Sequence, residues 1–317
     1  MTYVTYKDKK IFIQPKQSVL DALLNNGEKI NHFCKNGLCQ NCIMEIEHGN
    51  IPEISQQGLT PAEKIQNKFL PCICFPREDL GIKQTNTIKK WFACEIINKN
   101  IIQNEFIILN IKKPVDYKFF PGQYLNILKN ESCIRTYSIA NLCETSNELE
   151  LHIKVYPNGE MSYWIFHELT EGNTIHISNA MGNCFYMNEA KHKPLLLLGV
   201  GTGVAPLIGI CRQAIFSNHN YPIHFIQAGA NKNALYANDI LNNLKKQSKH
   251  FNLHSCHLDH IENNNVLEYI NKTFNNLENW EVYICGQPKF VNEAKEITFL
   301  LGADANAIHS DSFFYTQ

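Results

Sequence analysis

The chain of 317 residues has no long apolar run and no excess of charge of one sign. Its longest apolar stretch, PLLLLGVG, is far too short to cross a bilayer. Its polar, alternating start, MTYVTYKDKK, is typical of a strand and not of a secretory signal. The formal net charge of −1 provides no global field for nucleic acid or an anionic membrane. We therefore expect a cytoplasmic protein with neither a nucleic-acid partner nor membrane insertion.

The sequence also lacks internal repeats and long low-complexity segments. A hydrophobic fraction of 44% and a charged fraction of 19% are those of globular domains, and 317 residues suffice for three of them. Twelve cysteines without a secretory signal favour metal binding and reduced thiols over disulfides. Six of them are expected to be small buried residues: Cys94, Cys133, Cys143, Cys184, Cys211 and Cys256.

Four further cysteines follow the spacing of a cluster-binding site. The segments HFCKNGLCQNC and FLPCIC together give the C-x4-C-x2-C…C pattern of a plant-type [2Fe–2S] cluster, in which Gly37 permits a tight loop. Cys74 competes with Cys72 for the fourth position, but an extended segment would direct it to the opposite side. Zinc, or simply buried thiols, is the alternative, although structural zinc usually takes two close pairs. The predicted metal ligands are Cys34, Cys39, Cys42 and Cys72.

The residues on either side of this loop predict a small mixed fold. Residues 4–6 and 11–13 form the arms of a hairpin, and SVLDALLNNG is a helix with Ser18 as its cap and Gly27 after its end. This order resembles the opening of the β-grasp fold of plant-type ferredoxins. The polar segment 83–90 is expected to be a linker.

The rest of the chain changes character near residue 190. Residues 91–186 contain six short strand-like segments separated by turn residues, which predicts an antiparallel barrel or sandwich. After residue 192, the buried-type runs PLLLLGV, IHFIQAG and EVYICG alternate with helical stretches, as in a parallel sheet with helices on both faces. This last part is a candidate for nucleotide binding.

Three motifs in the strand-rich part occur in a fixed order: FPGQY at 120–124, RTYS at 135–138 and HIKVYPNGEMS at 152–162. An Arg-x-Tyr-Ser string alone is as typical of a surface ion pair beside a packed aromatic ring as it is of a flavin site. The interpretation therefore depends on the order of the three motifs. Together the motifs resemble the flavin-binding half of the ferredoxin–NADP reductase superfamily.

This resemblance implies how the chain would hold FAD. Arg135 would pair with the pyrophosphate, Tyr137 would pack on the isoalloxazine ring, and Ser138 would place a hydroxyl near flavin N5 as a catalytic group. Residues 152–154 would run beside the ribityl and phosphate arm, and the helix start at 159–162 would offer backbone N–H groups to the phosphates. The FAD residues so implied are Arg135, Thr136, Tyr137, Ser138, His152, Ile153, Lys154, Gly159, Met161 and Ser162.

A second constellation lies in the last third of the chain. LLLLGVGTGVAP is a buried strand, a glycine-rich turn and a helix start, and it lacks the G-x-G-x-x-G fingerprint. It resembles the GTGxxP turn of the same superfamily, and CGQP at 285–288 resembles its CGxP motif. A structural tight turn and a buried cysteine are the alternatives. The nicotinamide residues implied are Gly201, Thr202, Gly203, Pro206, Cys285 and Gly286, with Thr202 and Cys285 as catalytic candidates.

The choice between NADH and NADPH depends on the residues after the second strand of this part. NADPH sites usually hold the ribose phosphate with arginine, and none is present in 228–232. Asn231 stands where many relatives carry arginine, which favours NADH, while Lys232 leaves NADPH open. The ending HSDSFFYTQ resembles the Asp-x-Phe ending of related reductases, in which Phe313 would cover the flavin; packing in the core is the alternative.

All three parts together resemble the single-chain reductases that place a ferredoxin domain before a flavin and nicotinamide module. The resemblance implies a β-grasp ferredoxin domain (1–86), an antiparallel β-barrel FAD domain (87–190) and an α/β parallel-sheet NAD(P) domain (191–317). Gln40 is a departure, because relatives commonly have glycine there. The expected function is transfer of electrons from NADH through FAD and [2Fe–2S] to an oxygenase component. A reductase serving a deoxysugar dehydratase, or a non-enzymatic iron–sulfur protein, is the alternative.

Overall fold

The computed structural model describes residues 2–32, 35–37, 40, 42–85, 91–257 and 266–313. The chain divides into two compact units, Met1–Thr87 and Ile88–Gln317. Within the described ranges, no helix is both long enough and apolar enough to cross a membrane.

The first unit is a mixed sheet with one helix packed on it. Its described elements are, in chain order, β1 (Thr2–Tyr6), β2 (Lys9–Ile13), α1 (Val19–Asn25), β3 (Met44–His48), α2 (Pro61–Ile65), β4 (Lys68–Phe69) and β5 (Leu80–Gln84). The strand order is β2-β1-β5-β3-β4, with β1 and β5 parallel and the other neighbours antiparallel. Such a sheet, covered by a helix, is the predicted β-grasp arrangement.

Local sequence signals account for the start of this unit. Lys7 and Asp8 have positive φ angles of 49° and 63°, as the tight turn of a twisted hairpin requires. The Ser18 side chain accepts a hydrogen bond from the Asp21 N–H and caps α1, as predicted. The predicted linker is wrong at its start, because residues 83 and 84 belong to β5. Lys83 forms an ion pair with Glu45 of β3, so this polar segment is held in the sheet. Residues 86–90 lie outside the described part.

The second unit begins with an antiparallel barrel. Its described elements are β6 (Phe92–Ile102), β7 (Phe106–Lys112), β8 (Tyr124–Asn130), β9 (Cys133–Ser138), β10 (Glu148–Lys154), α3 (Glu160–His167) and β11 (Thr174–Ile177). The strand order is β10-β7-β6-β11-β8-β9, and a bridge between Ile139 and Leu151 joins the last strand to the first. The six predicted strands are confirmed, and apolar residues of alternating positions fill the interior.

A parallel sheet follows in the same unit. Its described elements are β12 (Leu195–Val200), α4 (Val204–Phe216), β13 (Ile223–Gly229), α5 (Asn238–Gln247), β14 (Phe251–His257), α6 (Val266–Thr273), β15 (Glu281–Gly286), α7 (Pro288–Leu300) and β16 (Ile308–Ser312). The order is β14-β13-β12-β15-β16, and every pair is parallel. Leu195 and Leu197 share a core with α4 and α5, while Leu196 and Leu198 share one with α6 and α7. Helices therefore cover both faces, as predicted.

This topology gathers the nicotinamide motifs at one edge. Gly201, Asn231 and Phe313 come directly after or close after the ends of β12, β13 and β16, and Gly286 is the last residue of β15. The carboxyl ends of parallel strands meet at the same edge of a sheet, which is where open α/β sheets bind ligands.

Candidate functional site

The predicted cluster loop lies against the segment that carries the fourth cysteine. Gly37 has φ +85°, and a Cβ atom built on it would stand 2.8 Å from Ile73 Cδ1. Ile73 directly follows Cys72, and both Cys72 and Cys42 are buried, at 5% and 3% exposure. The loop and the distant cysteine segment are therefore in contact. Cys34 and Cys39 lie outside the described residues.

The extended geometry expected around Cys72 and Cys74 is wrong. Cys72 lies in a short 3₁₀ turn, Pro71–Ile73, and not in an extended segment. Cys74 nevertheless differs from Cys72, because its carbonyl accepts the Val19 N–H at the start of α1 and its side chain is fully enclosed in the core. Burial raises the pKa of the Cys74 thiol to about 11. Cys72 stays the predicted ligand.

Gln40 takes a conformation that suits glycine. Its φ is +56°, in the left-handed region, and its side-chain Nε2 donates a 2.7 Å hydrogen bond to the Gly58 carbonyl oxygen. Gln40 therefore holds a left-handed backbone and adds a hydrogen bond to the loop that contains Gly58.

The RTYS motif forms the end of β9. Arg135 is partly exposed, and its Nη1 donates to the Ile134 carbonyl oxygen at 2.9 Å. Within the described residues no carboxylate pairs with Arg135, so its guanidinium retains donors for an anionic ligand. Burial raises the pKa of Tyr137, Ser138 is 6% exposed, and the Thr136 hydroxyl donates to Asn126 Oδ1 at 2.8 Å.

The helix start predicted for the phosphates packs on this strand. α3 contacts β9, and Gly159 precedes its first residue. The Ser162 hydroxyl accepts the Tyr156 N–H at 3.0 Å and donates to the Gly159 carbonyl at 3.1 Å. It therefore shapes the turn from within, while Met161 is buried in the barrel core. Backbone N–H groups of the first turn, with Arg135 nearby, fit a pyrophosphate.

Lys99 of β6 holds the opposite end of α3. Its Nζ donates to the carbonyl oxygens of Ile165 and Phe166 at 3.3 and 3.0 Å, and also to that of Leu169. The first two are last-turn carbonyls, which lack partners within a helix, and Leu169 follows the helix end. A cation at this end also complements the helix dipole. Sequence reasoning missed Lys99, because a lysine in a strand carries no sign of the helix end it will meet.

Two of the three β10 residues predicted to lie beside the FAD have side chains that are engaged within the protein. Ile153 is fully buried in the barrel core. The His152 ring is bonded on both sides, with Nε2 at 2.8 Å from Glu150 Oε1 and Nδ1 at 2.9 Å from the Tyr236 hydroxyl. A cofactor beside this strand would meet backbone rather than these two side chains. Lys154 is partly exposed, and its Nζ lies 5.4 Å from the centre of the Tyr156 ring.

The glycine-rich turn and the CGQP motif touch each other. Gly201 has φ +58°, and a Cβ atom on Gly203 would stand 2.2 Å from the Cys285 carbonyl oxygen. Only glycine fits at 203, because the backbones of the two motifs approach directly. Thr202 is 8% exposed, and Pro206 lies in the first turn of α4, as predicted.

Cys285 has neighbours that the sequence did not reveal. Its Sγ lies 3.7 Å from Cys184 Sγ, in the segment between the barrel and the parallel sheet, and both thiols are buried. Asp311 is opposite Cys285 in the register of β15 and β16, and burial raises the pKa of its carboxyl to about 6. Burial raises the pKa of Tyr124, and the charge of Asp311 raises it further. Tyr124, at the end of FPGQY, therefore lies close to this edge. Asp311 was not among the predicted site residues, and the Asp-x-Phe ending is the sequence feature that could have indicated it.

The remaining predicted residues lie at the same edge. Phe313 is partly buried, and its N–H donates to the Gly286 carbonyl oxygen at 2.8 Å, which holds the start of the C-terminal segment beside Cys285. Asn231 Oδ1 accepts the Ala234 N–H at 2.9 Å and so closes the turn after β13. Glycine backbone, a hydroxyl and a thiol at one edge of the sheet fit a nicotinamide nucleotide better than a metal ion.

Family models and curated relatives agree with this arrangement. A 2Fe-2S iron-sulfur cluster binding domain matches residues 4–77, an oxidoreductase FAD-binding domain matches 93–186, and an oxidoreductase NAD-binding domain matches 197–296. The chain is 29% identical over 314 residues to protein RfbI of Salmonella typhimurium, covering 94% of this chain and 91% of the relative. It is 26% identical over 308 residues to the ferredoxin–NAD(P)+ reductase component of the naphthalene 1,2-dioxygenase/salicylate 5-hydroxylase systems of Ralstonia, covering 94% and 93%.

A third relative belongs to a different system. It is the CDP-6-deoxy-L-threo-D-glycero-4-hexulose-3-dehydrase reductase of Yersinia pestis, 25% identical over 314 residues and covering 93% of each chain. Among solved structures, the Amycolatopsis cytochrome P450 reductase GcoB has a TM-score of 0.67 at 20% identity over 99% of each chain. The ferredoxin reductase in carbazole 1,9a-dioxygenase has a TM-score of 0.64 at 20% identity, over 99% of this chain and 98% of its own. These two likenesses concern the fold.

The three matched domains occur in one order over nearly the whole chain, and the relatives that span it include named reductases. The chain therefore belongs to the ferredoxin–NADP reductase superfamily, as a single-chain NAD(P)H-dependent oxidoreductase with an N-terminal plant-type [2Fe–2S] ferredoxin domain, and its cofactors are FAD, NAD(P)H and the cluster.

Proposed function

We propose that this reductase takes electrons from NADH and delivers them, through FAD and the [2Fe–2S] cluster, to a separate oxygenase component. The main support is that the parallel-sheet part meets the barrel and the segment that follows it: Gly209 of α4 lies against Gly122 and Ile139, and Cys285 lies 3.7 Å from Cys184. A nicotinamide bound at the Gly203 turn would there face the strand that carries Ser138.

The side chains of the chain bind and orient, while the cofactors carry the redox chemistry. FAD, when bound, would supply the chemistry that links two-electron transfer from a nicotinamide to one-electron transfer towards an iron–sulfur cluster. Arg135 and the first turn of α3 would hold the pyrophosphate, and Gly201 and Gly203 would let the nicotinamide nucleotide approach the backbone. Cys42 and Cys72, with Cys34 and Cys39, would hold the cluster. We propose domain boundaries at residues 86 and 190.

The acceptor is proposed by class from the relatives. The Ralstonia protein is by its name a dioxygenase component, and the Yersinia protein is by its name a deoxyhexulose dehydrase reductase. Both span nearly all of this chain, so an electron-accepting dehydratase is the second candidate. A non-enzymatic iron–sulfur protein does not agree with the matched FAD and NAD domains.

The proposal is tested by visible spectra of the anaerobically purified protein before and after addition of NADH. We expect flavin and iron–sulfur absorption, both bleached by NADH, together with iron and acid-labile sulfide in the ratio of one [2Fe–2S] cluster per chain. Stoichiometric zinc without sulfide, or a flavin that NADH does not bleach, would overturn it. The same titration with NADPH tests the predicted preference for NADH, which the absence of arginine in 228–232 supports. Reconstitution with a purified oxygenase component or with a dehydratase then separates the two acceptors.

A further inference from the structure

We propose that Arg212, on α4, is a positioning residue that aligns the nicotinamide turn with the flavin strand β9. The inference rests on the proposed function, because it explains how the geometry of hydride transfer is held. α4 begins at Val204, directly after the turn of Gly201 and Gly203, so any displacement of this helix also displaces the turn.

The middle of α4 lies directly on barrel backbone. A Cβ atom on Gly209 would stand 2.9 Å from Gly122 N and 2.9 Å from the Ile139 carbonyl oxygen. Gly122 belongs to FPGQY, and Ile139 directly follows Ser138 at the end of β9. The glycine contact sets how closely the helix approaches, but close backbone packing has no directional bond and so restricts the orientation of the helix only weakly.

Arg212 supplies a directional contact one helical turn further along. Its Nη1 donates to the Ala140 carbonyl oxygen and to Glu150 Oε1, both at 2.8 Å. Ala140 is two residues after Ser138, so the same guanidinium touches the segment that carries the proposed flavin N5 contact. The side chains of Arg212 and Glu150 are 23% and 15% exposed, which shields their ion pair from solvent.

The same glutamate also links the barrel to a second point of the parallel-sheet part. His152 lies between Glu150 and the Tyr236 hydroxyl, and the Tyr236 ring stacks on Phe106 of β7 with centroids 4.4 Å apart. A neutral ring satisfies both bonds when His152 Nε2 donates to Glu150 and Nδ1 accepts from Tyr236. The chain Arg212, Glu150, His152, Tyr236 thus starts and ends outside the barrel and passes through β10.

Directional bonds at two separate points restrict the orientation of α4 more than apolar packing does by itself. Burial opposes the charge of Glu150, yet the bonds from His152 and Arg212 bring its pKa down to about 2, so the carboxylate keeps its charge. Removing Arg212 would leave the Glu150 carboxylate without its guanidinium partner and would loosen α4 on the barrel. Hydride transfer is sensitive to such shifts, since a misplacement of about 1 Å can cost about 100-fold in rate.

The test compares Arg212→Met and Arg212→Lys with a matched control, Lys193→Met. Lys193 also pairs with a buried glutamate, Glu281, at 2.6 Å, but at the amino end of the parallel strands, far from the nicotinamide edge. In stopped-flow reduction of the flavin by saturating NADH, we expect Arg212→Met to lower the limiting rate about 10- to 100-fold. FAD content and the NADH concentration at half-saturation should stay near wild type. Arg212→Lys should recover part of the rate, and Lys193→Met should leave it unchanged.

A second measurement does not require bound FAD or enzyme activity. Amide hydrogen exchange of the FAD-free protein should show lost protection at residues 120–122 and 139–141 in Arg212→Met and native protection there in Lys193→Met. A wild-type limiting rate in Arg212→Met, or an equal loss in Lys193→Met, would overturn the inference. If Arg212→Met does not fold, Tyr236→Phe removes one hydroxyl at the other end of the network, and an unchanged rate in that variant would overturn it. A wild-type protein that NADH cannot reduce would refute the proposed function instead.

Discussion

Gly203 approaches the Cys285 carbonyl oxygen so closely that a methyl group on residue 203 would stand 2.2 Å from it. The glycine is required by this contact and not by its own backbone angles, since its φ of −58° suits any residue. Gly201, two residues earlier, shows the reverse: its φ is +58°, but a Cβ atom added there would have nothing within 4 Å. One turn therefore needs glycine twice for two different reasons.

The two glycines predict different outcomes for the same substitution. Gly203→Ala should lower NADH-dependent flavin reduction by about 100-fold, because the turn and the CGQP segment must separate by about 1 Å. Gly201→Ala should cost about 1–2 kcal/mol of stability from left-handed backbone, with a smaller loss of rate. Stopped-flow reduction and thermal melting of both variants check this, and similar rates in the two would contradict the contact as its cause.

The two neighbouring cysteines of the first unit should behave differently. Cys72→Ser should purify with FAD but without the cluster, keep NADH-to-ferricyanide activity and lose cytochrome c reduction, because ferricyanide can take electrons from the flavin. Cys74→Ala should keep iron and sulfide and lose about 1–2 kcal/mol of stability, since Cys74 is fully enclosed in the core. Iron and sulfide analysis of both variants shows which cysteine is the fourth ligand. If Cys74→Ala loses the cluster and Cys72→Ser keeps it, Cys74 and not Cys72 is that ligand. Cys39→Ser should match Cys72→Ser.

Arg135 should govern FAD binding without affecting the cluster. Arg135→Ala removes a guanidinium that no described carboxylate occupies, and a lost charge-assisted contact of about 1.5–3 kcal/mol corresponds to about 10- to 100-fold weaker FAD. Arg135→Lys keeps the charge without the planar fork and should bind FAD with intermediate affinity. Titration of the FAD-free proteins with FAD measures both. Wild-type affinity in Arg135→Ala would remove this residue from the site, while the iron–sulfur absorption serves as the internal control for folding.

A buried histidine should make stability depend on pH. Burial, and to a lesser extent the charges of His250 and His192, lower the pKa of His219 to about 4, and its Nε2 has no hydrogen-bond partner within the described residues. Because the unfolded chain takes up this proton near pH 6.5, the stability it contributes is complete above that pH and is lost as pH falls from about 6.5 towards 4.

The test is the difference in the free energy of unfolding between wild type and His219→Asn. Asparagine can keep the bond to the Tyr186 hydroxyl, which lies 3.2 Å from His219 Nδ1. As pH falls from 7 to 4.5, the free energy of unfolding of the variant should rise relative to that of the wild type, by an amount on the order of 1–3 kcal/mol. A difference that does not change with pH would show that His219 does not titrate in this range.

Short-range patterns were enough to predict much of this molecule. The cluster spacing, the Ser18 cap, the barrel strands and the Gly201–Gly203 turn each depend on residues close together in the chain, where backbone geometry restricts the choices. Domain type and order followed from the change between period-two strands and buried runs near residue 190.

Contacts between distant segments decided the rest. The sequence predicted that His152 lies in a strand beside the FAD, yet in the structure its ring contacts the Tyr236 hydroxyl, 84 positions away. Asp311 meets Cys285 only because β16 pairs in parallel with β15, and Arg212 meets Glu150 only because α4 docks on the barrel. No local pattern encodes such pairs, since they depend on how whole elements pack, and packing is set by the summed burial of many side chains rather than by any one motif.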